Sequence, residues 1–361
     1  MEQLLGKTPG ELAAVAWACD LKPFVSKQLA RWLYVSKVRT FDEMTNISKQ
    51  GRDILDSRYE LGTSEPLGKA ESSDGTIKYL FKAVTPLGGS MVETSAVESV
   101  VIPDGERRTL CVSSQAGCAM NCKFCMTGRG GFHGQLRPGD ILNQFVSIDE
   151  PEKLTNAVFM GMGEPLNNYD AVSRAIEVLT ADWGFAWSPK RITVSSIGVL
   201  PNLKRYLDEH KTHLAISLHN PFGEERLQLM PCEKRWPIKD VTALIRQYDW
   251  SGQRRVSFEY TMFAGWNDTK RHADALIRLL RGLECRVNLI RFHKIPDFPY
   301  ESSSQKVMEA FRDRLASNGI TCTIRASRGE DILAACGLLA GQVHDIEVNY
   351  LHNEENSHYY D

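Results

Sequence analysis

The chain has 361 residues, of which 42% are hydrophobic and 24% charged, and its formal net charge is −2, which is the composition of a globular protein of one or two domains. No apolar run approaches the ~20 residues that span a bilayer, which excludes a membrane-spanning protein. The first residues also lack the basic-then-apolar order of a signal peptide, so we expect a cytoplasmic protein.

The first 70 residues (1–70) are predicted to form a small helical domain. Thr8 and Glu11 have the spacing of a capping box, and Thr40 and Glu43 repeat it. Residues 21–41 carry five basic side chains and no acid; the basic residues are Lys22, Lys27, Arg31, Lys37 and Arg39. Three aromatic rings lie among them: Phe24, Trp32 and Tyr34. Basic side chains among aromatic rings can bind phosphates and stack on bases, although a solvated helix face has the same pattern.

The rest of the chain changes from β-rich to alternating strand and helix patterns. Residues 71–107 are rich in β-branched residues and are predicted to be a short β connection. Across 108–343 the alternation implies parallel strands with right-handed crossovers, and so an α/β fold with a partial (β/α)6 barrel. The strand candidates are 109–114, 156–162, 191–196, 213–219, 254–260 and 285–292, with a final strand at 320–327. The acidic tail, 344–361, is expected to be flexible.

The nine cysteines point to metal or redox chemistry. An odd number without a secretory signal argues against a disulfide framework. Three of them form the pattern CxxxCxxC directly after the first predicted barrel strand: Cys118, Cys122 and Cys125. A structural zinc site usually has four ligands in two separated pairs. A 4Fe–4S cluster held by three cysteines would instead leave one iron open to a substrate, with Phe124 shielding the cluster from water.

This cysteine pattern, with an aromatic residue before its last member, resembles the signature of the radical S-adenosylmethionine (SAM) superfamily. The resemblance implies one 4Fe–4S cluster, with SAM bound at the open iron. Gly163 and Glu164, after the second strand, resemble that superfamily's GEP motif, in which the glutamate accepts from the SAM amine. Further residues at strand ends are implied as SAM contacts: Ser195, Ser217, Leu218, His219 and His293.

Over about residues 5–343 the chain resembles one branch of this superfamily, the RlmN/Cfr family of RNA methyltransferases. The segments that match in order are CVSSQAGCAMNCKFC, FMGMGEPLNN, ISLH, EERLQLMP and DILAACGLLAG. The chain departs from the family at His293, where asparagine is common, and at 133–135.

The resemblance implies a role for each of three further residues. One SAM methylates Cys336, and a second SAM is cleaved to a radical that takes hydrogen from this methyl group. The carbon then adds to an adenine, and Cys111 attacks the Cys336 sulfur, releasing the product and leaving a disulfide. Glu98 matches the family's proton acceptor. A carbon radical is needed because adenine carbons 2 and 8 are too weakly nucleophilic to attack SAM.

Asn121, the run 127–132 and the complete N-terminal helical domain favour the RlmN branch. That branch implies methylation of adenosine carbon 2 in 23S rRNA, in the peptidyl-transferase region, and in the anticodon loop of tRNA. The Cfr branch, which modifies carbon 8 of 23S rRNA adenosine, stays open. So does a non-catalytic RNA-binding protein with a structural cluster or zinc. We also expect an electron donor such as flavodoxin, no membrane association and a monomer.

Overall fold

A single mixed sheet organises the chain in the computed structural model, which describes residues 1–88, 91–252, 254–341 and 347–348. Its eleven strands lie in the order β14-β13-β12-β11-β10-β9-β6-β5-β4-β3-β15. Strands β1 with β2, and β7 with β8, form two small separate pairs. The described strands are β1 (Glu2–Gln3), β2 (Tyr59–Glu60), β3 (Gly68–Glu71), β4 (Ile77–Gly88), β5 (Met91–Asp104), β6 (Arg107–Cys111), β7 (Gln115–Gly117), β8 (Phe132–Gln135), β9 (Asn156–Phe159), β10 (Ile192–Ser196), β11 (His213–Ser217), β12 (Val256–Met262), β13 (Arg286–Arg291), β14 (Thr321–Ile324) and β15 (Glu347–Val348).

Helices connect successive strands of the parallel part of this sheet. Their sequences are amphipathic: in α6, for example, Val172, Ala175, Ile176 and Leu179 recur at helical spacing and are buried. None of the described helices combines the length and apolar composition needed to cross a membrane. The helices are α1 (Pro9–Ala18), α2 (Val25–Ala30), α3 (Lys49–Arg58), α4 (Met126–Arg129), α5 (Pro138–Val146), α6 (Tyr169–Thr180), α7 (Leu200–Glu209), α8 (Gly223–Leu229), α9 (Ile238–Ile245), α10 (Lys270–Leu280) and α11 (Gln305–Ala316).

The parallel part of the sheet confirms the predicted partial α/β barrel. Strands β6, β9, β10, β11, β12 and β13 pair in chain order, each parallel to the next. The predicted final strand is β14, which pairs parallel to β13 and adds a seventh strand at the edge. The carboxyl ends of all these strands lie at one end of the barrel, where such folds place their chemistry.

The N-terminal region contains both predicted capping boxes and one feature that was not predicted. The Thr8 hydroxyl accepts the Glu11 N–H at 3.2 Å, and the Glu11 carboxylate accepts the Thr8 N–H at 2.7 Å. The second box lies at Thr40 and Glu43, at the start of a short 3-10 helix. The unpredicted feature is the parallel pair of β1 with β2, which closes the region on itself.

Antiparallel strands β5, β4 and β3 extend the sheet beyond β6. Two residues of the tail that was predicted to be flexible form β15, which pairs antiparallel with β3. The rest of the tail, 344–346 and 349–361, lies outside the described residues.

Candidate active site

The three-cysteine loop lies at the carboxyl end of the barrel, between β7 and β8. These strands pair antiparallel, and the Cys118 N–H donates to the Gly131 carbonyl at 2.6 Å, which closes the base of the loop. All three cysteines line a cavity of about 160 Å³. The ring of Phe124 packs edge-on against His219, with the ring centres 4.9 Å apart. The sequence motif therefore forms one side of a partly open cavity.

The chemistry of the three thiols fits an iron–sulfur cluster. Burial raises the pKa of Cys118 to about 12, and it also raises the pKa values of Cys122 and Cys125. Thiols this buried give up their protons when iron binds, because a cation replaces the lost solvation. Among the described residues, no three His, Cys, Asp or Glu side chains converge closely enough to hold a single metal ion. Three thiols on one wall of the cavity are a donor set that suits an iron–sulfur cluster.

Glu164 follows β9 and lies on another wall of the cavity. Its carboxylate accepts the N–H groups of Leu166 and Ile197 at 3.0 and 2.9 Å. Burial raises the pKa of Glu164 to about 7, although these hydrogen bonds oppose the shift. A SAM amine would add a third partner to a carboxylate that is already held in place.

Gly163 lines the cavity, but contacts within the protein already require a glycine at this position. Its φ is +100°, and an added Cβ would lie 2.6 Å from the Cβ of Gln115. The sequence-based explanation, close approach of the backbone to SAM, is therefore incomplete, because packing against Gln115 already excludes a side chain.

Ser195 and Ser217, near the ends of β10 and β11, also line the cavity. His219 lines it too, and its Nδ1 accepts the Thr261 N–H at 2.9 Å. Burial and the nearby Arg226 lower the pKa of His219 to about 3, so the ring is neutral and carries its proton on Nε2. Leu218 is fully buried and is not among the cavity-lining residues. Its side chain therefore packs in the core, and its predicted contact with SAM stays a prediction.

His293 also lies away from the cavity lining. Its Nε2 is 3.2 Å from the Ser327 hydroxyl, and its Nδ1 is 3.3 Å from the Glu330 carboxylate. Both ring nitrogens are thus occupied by the loop that follows β14. This histidine ties that loop to the end of β13, and its predicted contact with SAM stays a prediction.

Cys336 meets the cysteine loop at the mouth of the cavity. It is exposed, lines the cavity, and is a free thiol. Cys111 is a free thiol at the end of β6 and is buried. Burial raises the pKa of Cys111 to about 12, and Cys336 is close enough to add to the shift. The two cysteines that the resemblance pairs are therefore neighbours, although they are 225 residues apart in the sequence.

Residues 328–341, here called the Cys336 segment, are fastened along their length. Near the start, Asp331 accepts from the Ser72 hydroxyl at 2.5 Å. Beyond Cys336, the Gly337 carbonyl accepts the Met126 N–H at 2.8 Å, and the Leu339 carbonyl accepts from the Thr127 hydroxyl at 2.5 Å. These bonds hold the thiol beside the cysteine loop.

Glu98 fastens the far end of the Cys336 segment. Its Oε2 accepts the N–H groups of Ala340 and Gly341 at 2.7 and 2.8 Å. Its Oε1 lies 2.9 Å from the Lys78 ammonium, and both side chains are only 2% exposed. Glu98 does not line the cavity. In this conformation it is an anchor for the segment, and both of its oxygens are engaged.

Two cavity residues were missed by the sequence analysis. Arg325, just after β14, lines the cavity, and its guanidinium lies 3.6 Å from the Glu259 carboxylate of β12. The pKa of Arg325 is raised most strongly by Cys336, and Cys111 also contributes. The only available signal was position, since Arg325 and Glu259 both lie near the end of a predicted strand, 320–327 and 254–260.

The predicted RNA contacts divide into two groups. Lys22, Lys27 and Arg31 are exposed. Lys37 instead lies over the Phe185 ring, 4.9 Å from its centre, and Arg39 pairs with Glu65. Of the three aromatic rings, only Phe24 is substantially exposed, at 55%, while Tyr34 is in the core. A phosphate-binding surface of exposed, unpaired cations is therefore smaller than the sequence suggested.

Comparison with known proteins defines the class first. Residues 112–277 match the model of the radical SAM superfamily, and residues 2–61 match that of the ribosomal RNA large subunit methyltransferase N-terminal domain. A radical SAM methyltransferase from Sphaerobacter thermophilus superposes with a TM-score of 0.88 at 36% identity, covering 95% of this chain and 100% of its own. The fold and the cysteine loop are thus those of a radical SAM enzyme.

Curated relatives narrow the class to a family. A probable dual-specificity RNA methyltransferase RlmN from Porphyromonas gingivalis is 56% identical over 93% of this chain and 96% of its own length. The corresponding enzyme from Syntrophus aciditrophicus is 39% identical over 88% of this chain and 90% of its own. The chain belongs to the RlmN family of radical SAM RNA methyltransferases.

Proposed function

We propose that this enzyme adds a methyl group to carbon 2 of adenosine in 23S rRNA, in the peptidyl-transferase region, and in the anticodon loop of tRNA. The names of its relatives support a dual RNA specificity. The observation that carries the chemistry is the exposed Cys336 thiol, which opens on the same cavity as the three cysteines of the loop.

The cofactor would be held by residues that already face one another. Cys118, Cys122 and Cys125 would bind one 4Fe–4S cluster, while Glu164, Ser195, Ser217 and His219 would orient SAM. When bound, the cluster and two SAM molecules per turnover supply a methyl group and a 5′-deoxyadenosyl radical. The half-buried Phe124 ring and the buried His219 ring would exclude water from that side of the cavity.

Cys336 would carry the methyl group in this mechanism. Its thiolate would accept a methyl group and then lose one hydrogen atom from it, and the resulting carbon would bond to adenine carbon 2. Glu98 would take the proton that leaves carbon 2, and the unpaired electron of the adduct would return to the cluster, which leaves a closed-shell thioether between Cys336 and the base. For this step Glu98 must release Lys78 or the N–H groups of Ala340 and Gly341.

Cys111 would complete the cycle. Its thiolate would attack the Cys336 sulfur, forming a Cys111–Cys336 disulfide and breaking the carbon–sulfur bond. The electron pair of that bond stays on the carbon, which takes a proton to become the methyl group as the base leaves. Two electrons from a donor such as flavodoxin would return both thiols. The proximity of the two cysteines, seen in the effect of Cys336 on the pKa of Cys111, supports this step.

RNA would approach over the N-terminal surface that carries Lys22, Lys27 and Arg31. The target base must be unstacked to reach the cavity, as for other enzymes that modify bases. We also propose that the enzyme acts as a monomer in the cytoplasm.

The test is to reconstitute the full chain anaerobically and to compare Cys336→Ala with Cys285→Ala, a cysteine outside the cavity. Mass spectrometry of digested RNA should find 2-methyladenosine with the parent and the Cys285 variant. It should find none with Cys336→Ala, which still cleaves SAM. Formation of 8-methyladenosine would overturn the assigned position, and absence of SAM cleavage by the parent would favour a non-catalytic RNA-binding protein. Full methylation by Cys336→Ala would overturn the carrier role.

A further inference from the structure

The end of the barrel opposite the cysteine loop holds a second cavity, of about 650 Å³. It lies at the amino ends of the parallel strands and is lined by Arg107, Lys190, Arg191, His213 and Arg255. We infer that this cavity, here called the basic mouth, is a binding site for a phosphate group. Neither the family resemblance nor the proposed reaction uses it.

The cations of the basic mouth lack carboxylate partners. Within the described part of the chain, Arg107, Lys190, Arg191 and Arg255 form no ion pair, and no aspartate or glutamate lines the cavity. Asp104 lies opposite Arg107 on the adjacent strand β5. Its carboxylate pairs with Arg328, at 3.7 Å, and not with Arg107. Like charges that face one cavity repel one another, and a bound anion relieves that repulsion.

His213 shows that the potential inside the mouth is positive. Its pKa is lowered first by burial and then by four cations, Arg255, Arg254, Arg286 and Lys190. The ring is therefore neutral near pH 7. Its Nδ1 accepts the Arg255 N–H at 3.1 Å, which leaves the proton on Nε2. His213 thus offers a donor to the cavity and no charge.

The other polar groups of the lining also suit a phosphate. Thr109 and Thr193 provide hydroxyl groups, which can donate. The Arg191 guanidinium lies 5.8 Å from the centre of the Trp187 ring, which restricts its orientation. A planar guanidinium binds two phosphate oxygens at once, which distinguishes this ligand from a halide ion.

The size of the basic mouth favours a small phosphate-bearing ligand or one or two phosphates of an RNA backbone. Its volume is within the range of pockets for small ligands. Arg325 lines both this cavity and the cysteine cavity, so the two cavities meet at this residue.

The first experiment measures binding of inorganic pyrophosphate to the full chain by calorimetry at low ionic strength. The double variant Arg191→Gln/Arg255→Gln removes two mouth cations. Its matched control, Lys204→Gln/Arg312→Gln, removes two cations that pair with Asp208 and Asp313. Because hydrogen bonds to charged groups contribute strongly, we expect the mouth variant to bind about tenfold more weakly or worse, and the control to bind like the parent. No binding by the parent, or equal weakening in both variants, would overturn the site.

A second arm identifies the source of the phosphate. Binding of a short RNA stem-loop is followed by fluorescence anisotropy over a range of salt concentrations. If RNA backbone occupies the mouth, the mouth variant lowers the slope of log Kd against log salt by about 0.9 per lost phosphate contact, and pyrophosphate competes with RNA. If a free phosphate compound occupies it, RNA binds the mouth and control variants equally. SAM cleavage is measured in parallel, so a failure here is distinct from a failure of the proposed reaction.

Discussion

The ammonium of Lys78 and the carboxylate of Glu98 form an ion pair on adjacent strands, 2.9 Å apart and almost fully removed from solvent. Lys78 is on β4 and Glu98 on β5, and the same carboxylate holds the N–H groups of Ala340 and Gly341. One buried charge pair therefore joins the sheet to the Cys336 segment. Removing either charge should therefore affect both the sheet and the Cys336 segment.

Replacing Lys78 by methionine should strongly destabilise the protein. The variant leaves the Glu98 carboxylate buried without a cation, which costs about 3–5 kcal/mol in comparable pairs. Adding Glu98→Gln should recover most of the loss, because the pair is then replaced by neutral groups. Urea unfolding of the two single variants and the double variant gives the coupling energy.

Lys69→Met is the matched control, on the neighbouring strand β3. Lys69 also pairs with a carboxylate, that of Asp149 at 2.8 Å, but both side chains are about half exposed. This change should cost no more than about 1 kcal/mol. If Lys78→Met and Lys69→Met lower the free energy of unfolding equally, the buried pair contributes no more to stability than the exposed pair.

The fastening at the start of the Cys336 segment should weaken in acid. Burial tends to raise the pKa of Asp74, but hydrogen bonds from Thr76 and the Gly329 N–H lower it to about 2. Hydrogen bonds from Ser72 and Ser73 also lower the pKa of Asp331. Both folded-state pKa values lie below the ordinary 3.8. The stability that these two carboxylates contribute is therefore fully present above about pH 4 and is lost as the pH falls toward 2.

Hydrogen exchange gives the readout for this fastening. Asp74→Ala at pH 7 should lower the protection factors of amides 329–335, by about tenfold for each 1.4 kcal/mol lost. The parent should lose the same protection only between about pH 4 and pH 2. Asp313→Ala, at an exposed acid on α11, serves as the control. Unchanged protection in Asp74→Ala would mean that other contacts hold this end.

The sequence was sufficient for the parts of the site that lie in one continuous motif. CxxxCxxC and Gly-Glu-Pro follow strands, and parallel strands bring their carboxyl ends together whatever the connections between them. Cys118, Glu164, Ser195 and Ser217 therefore reach one cavity as expected.

Contacts between distant segments could not be predicted in this way. A lysine inside a strand, such as Lys78, is usually solvent-facing, and its burial depends on Glu98 of the next strand. His293 ends a strand like the cavity residues, but the following loop returns and takes both ring nitrogens. The direction of a side chain at a strand end depends on which later segment packs against it, and the spacing of residues in the sequence does not specify that segment.

Replacing His219 by asparagine should flatten the pH dependence of stability. The native pKa is about 3, whereas the ordinary value is 6.5, so below pH 6.5 the unfolded chain takes a proton that the native chain does not. The parent should therefore lose about 2 kcal/mol more than the variant between pH 7 and pH 5. Asparagine suits the site, because its side-chain oxygen can replace Nδ1 and it tolerates the φ of +54°. Urea unfolding at both pH values measures the difference, and equal losses would show that His219 is protonated in the native protein.

Replacing Arg325 by glutamine should affect both stability and product release. The Glu259 carboxylate is 4% exposed, and its Oε2 has no hydrogen bond within the described chain, so the variant leaves it without a cation. Arg325 also opposes the burial that raises the pKa of Cys111 to about 12. If Cys111 releases the product, its thiolate becomes scarcer and the protein–RNA conjugate accumulates, as in Cys111→Ala.

A second substitution separates these two effects of Arg325. Arg325→Gln/Glu259→Gln removes the unpaired carboxylate, so it should regain stability but still accumulate conjugate on a denaturing gel. Arg325→Lys keeps the positive charge and should release product nearly as fast as the parent. Release at the parental rate by the double variant would contradict a role for the guanidinium, because the thiolate at Cys111 would then form without a neighbouring cation.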